Sequence, residues 1–120
     1  MANPSADRPN APQIQANLHE VAEQLRRAQH LGLAAQGSLA DLMEELSRAL
    51  GPGRVSSDEA AQLAKSAAEL AQSLHDDQPR GLLAVAKARL EEAAIRAETK
   101  APLATGLARQ LLDALASFGI

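Results

Sequence analysis

The sequence predicts an all-α fold, a small antiparallel bundle of about five helices that closes in a C-terminal helical hairpin. Three observations carry this. Ala (27) and Leu (19) dominate the 120 residues, and both favour helix, while Ala also lets neighbouring helices approach closely. β-branched residues are too scarce for a sheet, with Val21, Val55, Val85 and three Ile besides Thr. Apolar residues recur at helical spacing through five segments that Gly, Pro and capping residues set apart. The length allows one domain with a modest core.

The chain opens with MANPSADRPNAP, which holds prolines at positions 4, 9 and 12 and no large apolar residue after Met1. Such a stretch buries too little surface to offset the entropy of ordering it. Residues 1–12 are therefore expected to form a disordered tail and residues 13–120 a single bundle domain. The seam of the first helix follows as Ile14, Leu18, Val21, Leu25 and Ala28, over about Gln13 to His30. Glu23 and Arg27 stand four apart in the favourable order on its exposed side.

Gly32 and Gly37 bracket an ambiguous stretch, and the break is expected near Gln36-Gly37. Ser38 with Asp41 resembles a capping box for a short second helix whose face carries Leu39, Leu42, Met43, Leu46, Ala49 and Leu50. Gly51-Pro52-Gly53 ends it. Ser56 and Glu59 suggest the next cap, opening a third helix to about His75. Its small and large apolar positions are Ala60, Leu63, Ala67, Leu70, Ala71 and Leu74. His75-Asp76-Asp77-Gln78 reads as a polar turn before Pro79 restarts the chain.

The last two helices form the hairpin. In the fourth, Leu82, Leu83, Ala86, Leu90, Ala93, Ala94 and Ala97 make one stripe. In the fifth, Leu103, Ala104, Leu107, Ala108, Leu111, Ala114, Leu115 and Phe118 share an arc, with Thr105, Arg109, Gln110 and Asp113 opposite. Pro102 suits a first helical position, where its missing N–H is harmless, and Gly119 suits the left-handed end. The joint Thr99-Lys100-Ala101-Pro102 is too short to let the two helices separate.

This closing stretch also carries a resemblance. Glu98, Pro102, Leu111-Leu112-Asp113-Ala114-Leu115 and Gly119-Ile120 resemble the end of a family of short bacterial proteins catalogued as domain of unknown function 4404. The resemblance is strongest over the last quarter of the chain. The family often has an aromatic where this chain has Ala97, and a His before the proline where it has Ala101, so any role of that His is absent here. The resemblance implies a helical fold and nothing catalytic.

Composition argues against several activities. Net charge is −3, with Lys and Arg scattered among acids, and the aromatics reduce to Phe118. That provides neither a basic footprint for phosphates nor platforms for stacking bases, so no nucleic-acid partner is expected. Zero Cys excludes disulfides, thiolate metal sites and a cysteine nucleophile. No apolar run reaches the roughly 20 residues that span a bilayer, so no membrane partner is expected and a soluble cytoplasmic protein is the reading. Gly51-Pro52-Gly53-Arg54 is too short to cradle a phosphate, and no Gly-x-Ser-x-Gly elbow occurs. The adjacent pairs Glu44-Glu45 and Glu91-Glu92 diverge around a helix and cannot share a proton; Glu44 is expected to face Arg48, and Glu92 to face Arg96. No catalytic residue, cofactor or metal is expected.

What remains is surface packing. In the fourth helix Val85, Ala88 and Ile95 form a second apolar arc interrupted by Glu92, and Leu112 lies at the edge of the fifth. Apolar residues on two sides of a helix mean a central place in its own bundle or a partner on one side. The sequence thus points to a non-catalytic module that binds a protein partner or itself. The alternative is a ligand- or metal-binding bundle using His19 and Glu23, which stand four apart and share one helix face.

Overall fold

The structure is a computed structural model that describes residues 11–50 and 57–120, with side chains from Ala16 onward. Among the described residues five α-helices run in order: α1 (Ala11–Arg26), α2 (Leu33–Ala49), α3 (Asp58–His75), α4 (Arg80–Ala97) and α5 (Pro102–Ser117), with a 3-10 turn at Gln29–Leu31 between the first two. The all-α bundle expected from the sequence is what forms. α1 packs on α2 and α3, α2 on α5, α3 on α4, and α4 on α5 as the C-terminal hairpin, while α3 and α5 touch across the middle. None of the described helices is long and apolar enough to cross a membrane.

The core is built from the residues that the spacing marks. Leu18 and Leu25 of α1, Leu39, Met43 and Leu46 of α2, Leu63, Leu70 and Leu74 of α3, Leu90 of α4, and Leu111 and Leu115 of α5 are fully buried. Alanines occupy the tight places. Ala86, Ala93, Ala94 and Ala97 are the small buried residues of α4, where it meets α3 and α5.

Several boundaries differ from the sequence reading. α1 begins at Ala11, two residues inside the stretch expected to be tail, because Pro12 is compatible with a first helical turn. It ends at Arg26 rather than His30. The break lies at residues 27–32, and α2 runs unbroken through Gln36 and Gly37. Gly32 holds φ 85°, which only glycine adopts freely, whereas Gly37 is an ordinary helical residue. Ser38 and Asp41 therefore lie within α2 and cap nothing. Gln36 acts instead from a distance, its Nε2 donating to the carbonyl of Arg26 at 3.2 Å and satisfying an orphan acceptor at the end of α1. At α3 the cap is Ser57, whose Oγ accepts from the Ala60 amide at 3.1 Å. Ser56 and the expected Gly51-Pro52-Gly53 stop lie outside the described residues, as does the side chain of Ile14. Pro79 stands just before α4 as its N-cap residue.

Two helices end in the same backbone motif. After α5, Gly119 (φ 75°) lets the Ile120 amide bond the Leu115 carbonyl at 2.8 Å and its own amide bond Ala116 at 3.1 Å. After α3, Gln78 bonds Ser73 at 3.1 Å and Asp77 bonds Leu74 at 3.3 Å. Asp77 takes the glycine-like position there with φ 53°.

The apolar arcs overrun the core at their ends. Leu82 (55% exposed), Leu103 (62%) and Phe118 (37%) were expected inside and are not. Each lies in a first turn or beyond a last one, and periodicity continues a face past the point where a neighbour covers it. Thr105 differs in the other direction. It is buried, and its hydroxyl is directed at the Ala94 carbonyl 3.5 Å away across the hairpin.

Candidate functional site

Two places on the surface gather the residues that the sequence singles out. The first is the seam between α1 and α2. His19, Glu23 and Arg26 follow at four- and three-residue spacing on one side of α1, and α2 brings Asp41 and Glu44 to the same side. His19 Nδ1 lies 2.7 Å from Glu44 Oε1. Arg26 donates through one guanidinium nitrogen to Glu23 at 3.0 Å and to Glu44 at 3.4 Å, and through the other to Asp41 at 3.1 Å. The expected pairs Glu23–Arg27 and Glu44–Arg48 give way to these, because a carboxylate on a packed helix pair reaches the neighbouring helix as easily as its own.

Glu44 is the most buried member, its side chain 19% exposed against 59% for His19. Desolvation opposes the charge on Arg26, but the hydrogen bonds it donates to Asp41 and Glu44 and the field of Glu23 and Glu44 outweigh it, and the guanidinium pKa is raised. One donor atom from each of His19, Glu23 and Glu44 lies within 4.8 Å of the others. They line an open groove of about 920 Å³ with Arg26, Asp41 and Arg48. Sequence spacing finds His19 and Glu23 but not Glu44 or Arg26, since these join only through the packing of α1 on α2.

The remaining histidines serve helix ends. His30, on the 3-10 turn, places Nε2 2.7 Å from the Leu74 carbonyl in the last turn of α3, a carbonyl at a helix end where a donor is favourable. His75 Nδ1 lies 3.2 Å from Asp76 Oδ1, which also accepts from Gln72 Nε2 at 3.0 Å.

The second place is the outer side of α4. With Ala86, Leu90, Ala93, Ala94 and Ala97 turned inward, Val85 (48% exposed), Ala88 and Ile95 (61%) fall on the opposite side and face outward. Glu92 interrupts this stripe, and Arg96 donates to its Oε1 at 2.6 Å. Leu112 is placed differently: it is half-buried on α5 and packs against the core.

No curated protein and no solved structure matches the chain. A family model matches residues 39–120, from the first buried leucine of α2 to the last residue. The match therefore extends well beyond the closing quarter that carries the resemblance in the sequence, and takes in α3, α4 and α5 whole. The chain belongs to the family described as "Domain of unknown function (DUF4404)".

Proposed function

We propose that this protein is a small non-catalytic interaction module whose docking face is the outer side of α4, where it receives a protein partner or a second copy of itself. The observation that carries the reading is the line of Val85, Ala88 and Ile95 exposed on a helix whose other side is already buried. A large aliphatic side chain left in water forgoes roughly 1.5–3 kcal/mol of burial. A stripe of them along one helix is the shape that a partner helix covers. Glu92 lies within the stripe and tunes it, because docking must either keep the Arg96 pair or leave a carboxylate poorly solvated.

Sedimentation over a wide concentration range tests self-association, and capture from the native cell, compared between the wild type and Ile95→Asp, tests a foreign partner. The reading expects one of the two to respond to Ile95→Asp with the far-ultraviolet circular dichroism unchanged. Glu92→Leu should strengthen the same association. A protein that stays monomeric, with the same captured set for wild type and Ile95→Asp, would overturn the reading.

A further inference from the structure

Beyond the α4 face, we propose that His19, Glu23 and Glu44 form a binding site for one divalent transition-metal ion of the Zn²⁺ class, which Arg26 keeps closed in the metal-free protein. The donor set is the first reason. An imidazole nitrogen with two carboxylates suits Zn²⁺ and its neighbours, whereas Mg²⁺ and Ca²⁺ prefer all-oxygen sets. The donors come from two packed helices, so the bundle itself sets their spacing. They lie within 4.8 Å of one another, and bond lengths of roughly 2.0–2.2 Å around a tetrahedral ion set ligands roughly 3.3–3.6 Å apart. Binding therefore closes the wider gaps by up to about 1.4 Å and opens the 2.7 Å contact of His19 with Glu44. Three protein ligands leave a fourth position to water from the open groove.

The second reason is what now stands in the cation's place. One guanidinium nitrogen of Arg26 lies 3.0 Å from Glu23 and 3.4 Å from Glu44, so the two carboxylates already converge on a single positive charge. Its other nitrogen lies 3.1 Å from Asp41, which is not among the three donors. Asp41 gives Arg26 a partner to keep when an ion takes the two glutamates. Entry of the metal therefore exchanges one cation for another and strands neither the arginine nor the carboxylates. The binding step forms bonds from His19 Nδ1 and one oxygen of each glutamate to the ion. It breaks the contacts of Arg26 with Glu23 and Glu44 and the 2.7 Å contact of His19 Nδ1 with Glu44, and the proton held between that nitrogen and the carboxylate leaves to Nε2 or to water, because a ligating imidazole nitrogen is unprotonated.

The test is calorimetric titration of the full chain with ZnCl₂, with MgCl₂ as the comparison. One Zn²⁺ per chain is expected, and no matching Mg²⁺ binding. His19→Ala and Glu44→Gln should each weaken Zn²⁺ binding at least tenfold, while the double variant His30→Ala/His75→Ala should leave it unchanged. Arg26→Gln removes the competing cation and should strengthen binding several-fold. Binding that survives His19→Ala, or that is lost with His30 and His75, would overturn the site. Unchanged or weaker binding in a folded Arg26→Gln protein would overturn the role given to Arg26. If Arg26→Gln impairs the fold, Asp41→Asn supplies the same comparison in reverse, because an arginine without its second partner should hold the glutamates harder and weaken binding.

Discussion

At the scale of single residues, the positions that matter most for local stability are those whose backbone is unusual. Asp77 holds the left-handed conformation that ends α3 (φ 53°), as Gly119 does after α5 (φ 75°). A Cβ at that φ is disfavoured, though Asp bears it better than most residues. Asp77→Gly is therefore expected to stabilise the protein by roughly 0.5–1 kcal/mol, and Gly119→Ala to destabilise it by about 1 kcal/mol. Urea unfolding of the two variants checks both signs. The Arg26 cluster has a smaller effect, since its members lie at the surface, none of them fully buried, and surface ion pairs contribute less than about 1 kcal/mol.

At the scale of elements, the decisive case is the joint between α1 and α2. Gly32 and Gly37 look alike in sequence, and either could break a helix. A Cβ would meet nothing within 4 Å at either, but only Gly32 has positive φ. Gly37→Ala should consequently stabilise the protein by about 0.5–1 kcal/mol through helix propensity, whereas Gly32→Ala should destabilise it by a similar amount or more. Thermal midpoints moving in opposite directions would verify the location of the break. Two stabilising changes would place it elsewhere. The same joint shows why caps are hard to read: Gln36 closes the end of α1 from within α2, and no local motif announces a residue ten positions away.

At the scale of the whole molecule, the five described helices share one core, so truncation at its centre should be felt in all of them. Leu111 is 2% exposed on α5, the helix that meets α2, α3 and α4. Leu111→Ala is expected to cost roughly 2–5 kcal/mol, a large share of the roughly 5–15 kcal/mol of a small domain. The loss should appear as one cooperative transition by circular dichroism. Ile95, 61% exposed, should by contrast tolerate Ile95→Ala within about 0.5 kcal/mol in the monomer. A loss at Ile95 comparable to that at Leu111 would place the residue in the core and remove α4 as a docking face.

The sequence by itself determined the helical class, the five segments and most of the buried face of each, because these rest on composition and on a period of 3.6 that is written locally. Leu18, Leu25, Leu46, Leu70, Leu90 and Leu111 were all legible in this way. The second face of α4 was legible for the same reason, in Val85, Ala88 and Ile95. Only the tertiary structure decided where those faces stop, and so left Leu82, Leu103 and Phe118 outside and took Thr105 in. It also decided which of two glycines breaks the chain. The ionic cluster is the clearest instance. His19 and Glu23 are one helical turn apart and can be paired by counting, but Glu44 stands 21 positions from Glu23 in the sequence. Its carboxylate joins them only because α2 folds back on α1, and a contact made between helices leaves no periodic mark on either.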